Sequence, residues 1–313
     1  MIVSIVICSR NRCAALKETL NCLQSVSVPD GLNVELIIVD NGSTDGTASM
    51  VREMRIPRIK VRYILEQKTG KSSAQNTGIG AAVGDVIVFT DDDVRPQLDW
   101  IRNVSDPIFE GRYDAIAGNV RIAPHLLRPW MTEKHQSWLA STSYLNPTEP
   151  EAAVSANMAV ARGVFDRIPR FDTELGPGRL GFWDDTLFSL QLKHAGFRLG
   201  SAPNALVEHH FDISRLTRSS FLARATGEGQ SLAYVAWHWK HEDRVWPSLR
   251  ATRREIELAL KRRLYAKAWQ HPEGMPTWEM ELVTGIAFLR HFEKMSQQPR
   301  AYEKHGFSKL APR

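Results

Sequence analysis

Short apolar runs alternate with amphipathic segments over the first ninety residues. Four runs rich in β-branched residues predict strands, at 3–7, 34–39, 59–65 and 86–89. Three segments with helical spacing of apolar residues predict helices, at 15–26, 44–54 and 72–83. Strands that are apolar throughout are typical of parallel sheets covered by helices on both faces. The pattern therefore predicts an α/β fold with a doubly wound, mainly parallel sheet, whose ligands bind beyond the carboxyl ends of the strands.

The pattern of apolar positions loosens after residue 96. It still predicts further elements, namely helices over 96–110 and 186–195, strands over 113–122 and 205–207, and an apolar run over 152–160. Residues 163–183 are rich in glycine and proline and are predicted to form a loop. These elements indicate that the α/β region continues beyond residue 200.

A polar loop follows each of the four predicted strands, at 9–12, 40–46, 66–71 and 91–93. The last of them is Asp91-Asp92-Asp93, three carboxylates in a row that repel one another. Mg²⁺ or Mn²⁺ would relieve this repulsion, because both ions bind carboxylate oxygens together with substrate phosphates. Alternate side chains of an extended segment point the same way, so Asp91 and Asp93 can share one ion. The alternative is an acidic turn exposed to solvent.

Asp40-Asn41 occupies the equivalent position after the second predicted strand. A carboxylate and an amide at this point can hydrogen-bond a nucleobase or a ribose, as acidic residues do in dinucleotide-binding folds. The alternative is an Asx turn that caps the following helix. Both interpretations place the pair at the carboxyl edge of the sheet.

The composition is that of an ordinary globular protein, with 43% apolar and 24% charged residues. It excludes a disordered, collagen-like or disulfide-stapled chain. The three cysteines, Cys8, Cys13 and Cys22, include no Cys-x-x-Cys pair, which argues for a reducing compartment. No apolar run reaches the roughly 18 residues that a membrane span needs, and the opening apolar run is too short for a signal peptide. We expect a cytoplasmic location.

Charge is divided unevenly along the chain. Residues 213–313 contain 18 basic and 10 acidic side chains, whereas residues 1–212 contain 22 and 25. Much of the basic excess lies in residues 248–270, which have the pattern of a basic amphipathic helix. Such a helix can make peripheral contact with an anionic membrane surface, here the inner face of the membrane. The alternative is a docked helix with its basic face in water. No nucleic-acid-binding motif accompanies the charge, so we expect no nucleic-acid partner.

Several motifs in order resemble family 2 glycosyltransferases, at 3–12, 37–46, 70–78, 89–93, 157–162, 171–175 and 183–192, and the similarity reaches His209. The resemblance covers roughly residues 1–212 and implies a GT-A-like catalytic domain, with a nucleotide-sugar-binding half at 1–95 and an acceptor-side half at 96–212. Residues 213–313 would form a basic helical extension. Members of this family are inverting enzymes that use nucleotide-activated sugars.

The resemblance also implies roles for individual residues. Asp91 and Asp93 match the DxD pair of the family, and the metal ion would be Mn²⁺ or Mg²⁺, held by Asp93, Asp91 and His209. The expected donor-binding residues are Ser9, Arg10, Asp40, Asn41, Lys71, Asn76, Asp91 and Asp92. The family often has a second aspartate where this chain has Asn41, so the resemblance does not indicate which nucleobase is bound. Lys71 beside a diphosphate is chemically apt, and its alternative is a solvated loop lysine.

Asp185 is the candidate general base. Asp184-Asp185 stands where the family commonly has Glu-Asp, and inversion needs a carboxylate that takes the proton of the acceptor hydroxyl as the new bond forms. The structural alternative is that the two acids cap a helix beginning near residue 186. Both can hold, because a base at the start of a helix is held rigidly.

The sequence thus predicts a metal-dependent inverting glycosyltransferase that moves a single sugar from a nucleoside-diphosphate sugar to a hydroxyl of a glycan or lipid-linked acceptor. Surface polysaccharide or glycoconjugate synthesis is the expected setting. Processive members of the family carry a Gln-x-x-Arg-Trp motif, which Arg244-Val-Trp246 does not match. Two alternatives remain open, a nucleotidyltransferase that makes a sugar nucleotide and a non-catalytic sugar-nucleotide binding module.

Overall fold

The computed structural model describes residues 1–143, 150–265, 269 and 271–310. The chain divides into two compact units. The first, here called the sheet unit, comprises Met1–Leu127, Leu139–Gly178 and Asp184–Phe211. The second, here called the helical unit, comprises Arg128–Trp138, Arg179–Trp183 and Asp212–Arg313.

The sheet unit is built on one eight-stranded mixed sheet. Its strands are β1 (Ile2–Ser9), β2 (Asn33–Asp40), β3 (Ile59–Leu65), β4 (Val86–Asp91), β5 (Val94–Pro96), β6 (Ala115–Ile122), β7 (Asn157–Ala161) and β8 (Leu199–His209). They lie in the order β3-β2-β1-β4-β7-β6-β8-β5. The strands from β3 to β4 are parallel, whereas β7 runs antiparallel to both of its neighbours and β5 runs antiparallel to β8.

The helices of the described residues are α1 (Cys13–Leu23), α2 (Thr47–Glu53), α3 (Lys71–Ala81), α4 (Trp100–Phe109), α5 (Glu133–Trp138), α6 (Asp184–His194), α7 (Arg218–His238), α8 (Pro247–Leu264) and α9 (Thr277–Met295). The core lies between the sheet and its covering helices, because β1, β2 and β4 are almost wholly buried. The predicted α/β architecture with a mainly parallel sheet is confirmed.

Most predicted elements begin or end a few residues away from those observed, and three of the differences have a structural reason. The helix expected over 96–110 begins only at Trp100, because Val94–Pro96 pairs with β8 as an edge strand. The short strand expected over 205–207 spans Leu199–His209. Its pairing with β6 is interrupted by a register shift between Gly118 and Asn119, so its apolar positions do not alternate regularly. The loop expected over 163–183 begins with a 3₁₀ turn at Arg162–Asp166.

The helical unit is held by α7 and α9, which bury Ala233, Ala236 and Phe292 between them. Gly229 permits this close approach, because a Cβ atom there would lie 2.2 Å from the carbonyl oxygen of Thr284. The basic helix expected over 248–270 is α8, which ends at Leu264; residues 266–268 and 270 lie outside the described residues. In the parts of the chain that the structure describes, no helix is both long and apolar enough to cross a bilayer.

A buried amide ties β7 to β6, β8 and α4. Asn157, the first residue of β7, donates from Nδ2 to the carbonyl oxygens of Asn119 (2.9 Å) and Ala205 (2.7 Å). Its Oδ1 accepts a hydrogen bond from Nε1 of Trp100 at 2.9 Å. A Cβ atom on Gly118 would lie 2.3 Å from this amide. One side chain thus satisfies three buried polar groups on three different elements.

Asn157→Ala is expected to lower the free energy of unfolding by about 3 kcal/mol, because it leaves buried donors and acceptors without partners. Urea unfolding followed by circular dichroism measures the change. The matched control is Asn103→Ala, which removes an exposed amide that donates to the carbonyl of Asn204; its cost should stay within about 0.5 kcal/mol. Equal costs for the two variants would show that the buried amide is not a structural tie.

Candidate active site

Four strands of the sheet unit end at the same edge of the sheet. The register pairs Ser9 with Asp40 and Cys8 with Asp91, so β1, β2 and β4 end nearly level. β7 is antiparallel to both β4 and β6, so β6 runs in the same direction as β4. β8 is parallel to β6 and therefore also runs in the direction of β4. His209, the last residue of β8, therefore lies at this carboxyl edge as well.

Asp91, Asp93 and His209 form the group of side chains at this edge that could hold a metal ion. One ligand atom from each lies within 4.8 Å of the other two. Asp93 and His209 are almost fully buried, whereas Asp91 is partly exposed. The backbone of His209 is fixed on both sides, since it pairs with Val94 of β5 and Ile122 of β6. The three residues are thus held by the sheet and not by a loose loop.

The hydrogen bond at Nδ1 of His209 sets the form of its ring. Nδ1 lies 2.8 Å from the carbonyl oxygen of Leu139, which can only accept, so Nδ1 carries the proton. A neutral ring then presents a lone pair at Nε2, which faces Oδ1 of Asp93 at 3.2 Å. Metal-ligating histidines are commonly oriented by such a carbonyl. Two atoms that each present a lone pair at this distance repel each other, and a proton or a cation bound to both would remove the repulsion.

Two basic side chains offset part of the acidic charge. Arg12 bridges two carboxylates, with Nη1 2.7 Å from Asp92 Oδ1 and Nη2 2.6 Å from Asp93 Oδ2. Lys71, the first residue of α3, forms an ion pair with Asp91. Burial alone would lower the pKa of Lys71, but the carboxylates of Asp91 and Asp184 outweigh it and raise the pKa above its ordinary value. Lys71 is therefore a fixed positive charge at this edge and not a solvated loop lysine.

Asp92 points away from the Asp91–His209 group. Its Oδ2 accepts a hydrogen bond from the hydroxyl of Ser9 at 2.6 Å, and its backbone carbonyl accepts one from Thr19 of α1 at 2.8 Å. Burial raises the pKa of Asp92 to about 6, against the opposing charge of Arg12. Arg10, by contrast, is exposed and makes no hydrogen bond or ion pair within the described residues. Ser9 and Asp92 thus anchor the acidic turn to β1 and α1.

Asp40 and Asn41 use their polar atoms within the protein. Asp40 accepts hydrogen bonds from the backbone N–H of Ser43 and the hydroxyl of Tyr63, both at 2.8 Å. Asn41 donates to the carbonyl oxygens of Glu66 (3.1 Å) and Lys68 (2.7 Å) and accepts from the N–H of Gly70 (2.9 Å). Asp40 therefore does not cap α2, which begins at Thr47, and its bond to Ser43 lies within the loop after β2. Asn41 shapes the loop that leads into α3.

Asn76 is turned away from the acidic edge. Its side-chain amide donates to the carbonyl of Phe171 (2.8 Å) and accepts from the N–H of the same residue (2.9 Å). The side chain thereby pins the 171–175 segment to α3. Like Arg10, Asp40 and Asn41, Asn76 is a residue singled out from the sequence for which the described part of the structure shows no contact with the acidic group.

Asp184 and Asp185 form the first turn of α6 but differ in environment. Asp184 is buried, and its Oδ2 has no hydrogen-bond partner among the described residues. Burial and the neighbouring Asp185 raise its pKa from 3.8 to about 7. Asp185 is partly exposed, and its Oδ2 accepts a hydrogen bond from the N–H of Ser155 at 3.1 Å. Burial also raises the pKa of Asp185, with the Ser155 N–H and Lys71 opposing.

Two parts of the site were not predicted from the sequence, the Arg12 bridge and the Ser155 N–H that orients Asp185. Arg10 and Arg12 lie in the same short loop, and nothing local separates the exposed one from the one that meets Asp92 and Asp93. Ser155 contributes only its backbone, which no side-chain pattern can reveal. Both contacts join segments that are at least 30 residues apart in the chain.

The donor set fits a divalent cation. Among the described residues, five carboxyl groups (Asp91, Asp92, Asp93, Asp184 and Asp185) interact electrostatically with Lys71 or Arg12. The raised pKa values of Asp92 and Asp184 reflect burial together with this carboxylate excess. An imidazole nitrogen with two carboxylates is a ligand set that suits Mn²⁺ in particular and also accommodates Mg²⁺.

The sequence profile of glycosyl transferase family 2 matches residues 4–167, more than half of the chain and most of the acidic edge. The chain belongs to glycosyl transferase family 2. Among curated relatives, this family 2 chain is 25% identical over 197 residues to the glycosyltransferase AglE of Haloferax volcanii, a match that covers 61% of the chain and 64% of AglE. The chain thus spans less than two thirds of the relatives it matches; for the glycosyltransferase GlyA of Streptococcus pneumoniae, at 30% identity, the share is 14%.

Solved structures show that this family 2 chain has the GT-A-like fold. It superposes on the mannosyltransferase PcManGT of Pyrobaculum calidifontis, solved with GDP-Man and Mn²⁺, with a TM-score of 0.62 at 18% identity. That match covers 93% of this chain and 86% of the other. TarS 1–349 of S. aureus, solved with UDP, gives a TM-score of 0.51 at 15% identity, covering 95% and 92%. The predicted fold class, with a helical region after the sheet, is confirmed.

Asp184→Asn is expected to change how the melting temperature responds to pH. The pKa of Asp184 in the folded protein, about 7, lies above its ordinary value of 3.8, so the folded state holds this proton more tightly than the unfolded chain does. The stability that Asp184 contributes is therefore present in acid and lost as the pH rises towards 7. In EDTA, the melting temperature of Asp184→Asn should therefore rise relative to that of the parent protein as the pH is raised from 5 to 8.

The exposed Asp99→Asn change controls for the loss of one negative charge. Differential scanning fluorimetry at closely spaced pH values measures both variants. A constant difference between Asp184→Asn and the parent across this range would contradict the proposed burial of the Asp184 charge.

Proposed function

We propose that this family 2 protein is a metal-dependent inverting glycosyltransferase that moves a single sugar from a nucleoside-diphosphate sugar to an acceptor hydroxyl. The observation that carries the proposal is the junction of Asp91, Asp93 and His209 with Lys71 at the carboxyl edge of a GT-A-like sheet. That junction offers a cation site and a fixed positive charge where the fold binds its ligands.

Asp91, Asp93 and His209 would hold Mn²⁺ or Mg²⁺. When bound, the ion would offset the negative charge that builds on the departing diphosphate. The metal-containing PcManGT structure supports this assignment, because it has the same fold. Arg12 pairs with Oδ2 of Asp93 and so fixes this carboxylate, while Oδ1 stays directed at His209.

Lys71 would contact the diphosphate of the donor. Its ammonium group pairs with Asp91 at the start of α3, and the first turn of a helix also favours a neighbouring anion. Asp40 and Asn41 form hydrogen bonds within the protein, which favours an indirect role in donor binding. These side chains would hold the loops that contact the nucleobase of the donor. Ser9 and Asp92 would position the acidic turn.

Asp185 would accept the proton of the acceptor hydroxyl. It is the more exposed acid of its pair, and the Ser155 N–H fixes its orientation. Its raised pKa makes it a better proton acceptor near neutral pH than an ordinary aspartate. No second catalytic acid is required, because a nucleoside diphosphate is already a good leaving group.

The acceptor is proposed to be a glycan or lipid-linked hydroxyl compound used in surface polysaccharide or glycoconjugate synthesis. A relative named GalNAc(5)-diNAcBac-PP-undecaprenol β-1,3-glucosyltransferase, from Campylobacter jejuni, supports this class; it is 29% identical over 93 residues, which is 29% of each chain. Release of a nucleoside diphosphate, and not of pyrophosphate, would distinguish this transfer from a nucleotidyltransferase reaction.

Donor binding should require a divalent cation and Asp93. With Mn²⁺ present, one nucleotide sugar of a panel is expected to raise the melting temperature, because a ligand that binds only the folded state stabilises it by mass action. EDTA should abolish the shift. Asp93→Asn should abolish it too and lower the transfer rate about 100- to 1000-fold, while the exposed Asp166→Asn control keeps both. An undiminished shift or rate in EDTA would refute the metal role.

Asp185→Asn is expected to lower kcat about 100- to 10,000-fold with little change in donor binding, since the amide cannot accept the proton. The asparagine oxygen can still accept the hydrogen bond from Ser155, so the fold should be preserved. Single-turnover kinetics give the rate, and the donor-induced thermal shift checks binding. The exposed Glu174→Gln variant serves as the control. An unchanged kcat in Asp185→Asn would exclude Asp185 as the base.

A further inference from the structure

α8 presents an apolar stripe to solvent. Leu249, Ile256, Leu260 and Leu264 have exposed fractions of 64, 58, 57 and 75%. Their spacing of seven, four and four residues places them on one face of the helix. Trp246, at the residue before the helix, is 71% exposed as well. Four large apolar side chains in a continuous row at a surface are typical of an interaction site.

The opposite face of α8 is the one that docks within the helical unit. Ala251 is fully buried, Glu255 pairs with Arg290 of α9 at 2.9 Å, and Arg262 pairs with Glu279 of α9 at 2.6 Å. These contacts fix the rotation of the helix about its own axis. The apolar stripe (Leu249, Ile256, Leu260 and Leu264) is therefore held outwards by the packing.

A cavity lined by arginines lies beside the apolar stripe. It has a volume of about 580 Å³. Its walls are formed by Arg250, Arg253, Arg254 and Glu257 of α8, by Arg244 of the preceding segment, and by Gly285, Phe288 and Leu289 of α9. Arg253 lies four residues after Leu249 and three before Ile256, so it borders both the cavity and the stripe. The cavity thus combines an apolar wall with a charged one in which four arginines outnumber a single carboxylate.

Gly285 of α9 makes room for one of these arginines. A Cβ atom there would lie 1.7 Å from Nη1 of Arg254. Within the described residues, Arg250, Arg253 and Arg254 form no ion pair, although α8 as a whole carries six basic and two acidic residues. The packing therefore keeps three guanidinium groups together beside an open cavity, where an anion would offset their mutual repulsion.

We propose that α8 is an interfacial helix that docks this protein onto an anionic lipid bilayer. The apolar stripe would enter the boundary between headgroups and acyl chains, and the arginine-lined cavity would receive a lipid phosphate. Charge complementarity selects this occupant, because a stripe of leucine and isoleucine flanked by a net excess of arginines matches both layers of an anionic membrane surface. The exposed Trp246 suits the same interface.

This inference goes beyond the proposed glycosyl transfer and does not depend on it. Membrane docking requires neither a nucleotide sugar nor a divalent cation, and every residue that it uses lies in the helical unit. All measurements below are made in EDTA without donor, so failure of docking and failure of transfer would be separate results.

The wild-type chain tests the proposal by co-sedimentation with vesicles. Binding is expected with vesicles of phosphatidylcholine that contain about 30% phosphatidylglycerol, and it should weaken about tenfold or more when phosphatidylglycerol is omitted or salt is raised to about 0.5 M. Inorganic phosphate at equal ionic strength should not compete more than chloride does. Because these measurements use the unaltered chain, they do not depend on the folding of any variant.

Two sets of substitutions separate the contributions of stripe and cavity. Leu249→Ser, Ile256→Ser and Leu260→Ser together should weaken binding about tenfold or more even at low salt, since apolar burial is lost. Arg250→Gln with Arg253→Gln should weaken it by a similar factor and flatten the salt dependence. All these side chains are exposed, so melting temperatures should stay close to that of the parent.

Matched controls lie on the sheet unit. Val83→Ser with Leu98→Ser removes apolar side chains of similar exposure, 59 and 62%, and Arg55→Gln with Arg112→Gln removes two exposed arginines. Neither pair should alter vesicle binding. Absence of binding to anionic vesicles, equal binding to neutral ones, or complete competition by inorganic phosphate would overturn the proposal. The proposal would also be overturned if the triple serine variant of the stripe lost self-association in analytical ultracentrifugation but still bound the vesicles.

Discussion

The crowding of carboxylates at one edge of the sheet is the constraint on which the rest of the site depends. Asp91, Asp92 and Asp93 follow a buried strand, where like charges a few ångströms apart repel strongly. Arg12 bridges two of them and Lys71 meets the third. These two cations keep the turn compact without neutralising the site. The remaining negative charge would favour the binding of a divalent ion at the site.

Local sequence was sufficient for one part of this arrangement. Strand alternation alone places Asp91 and Asp93 on one side, and the structure brings one oxygen of each close to the same point. His209 joins them only because β8 lies next to β5 and β6 in the sheet, an order that no local spacing encodes. The resemblance to a known family pointed to His209, and the sheet topology is the physical reason why it lies beside the two aspartates.

The interpretation of Asn41 illustrates the opposite case. An amide at the end of a parallel strand has the chemistry to meet a nucleobase, and the sequence predicts that role. The structure gives the amide three backbone partners in the loop at 66–70, more than 20 residues further along the chain. Whether a polar side chain faces a ligand or braces a loop is decided by such long-range partners, as it also is for Arg10 and Arg12. Short motifs identify the candidate site residues, but they do not show which of them face a ligand and which stabilise a loop.

The two acids at the start of α6 show how the fold assigns different tasks to neighbouring residues. Successive residues of a helix point in directions about 100° apart, so Asp184 turns inwards while Asp185 stays partly exposed. A Cβ atom on Gly176 would lie 2.8 Å from the carboxylate of Asp184, which shows how closely the backbone covers it. Burial and the neighbouring Asp185 raise its pKa to about 7, which favours its protonated form relative to an ordinary aspartate. A protonated Asp184 would no longer repel its neighbour and would leave the negative charge on Asp185, the more exposed acid of the pair.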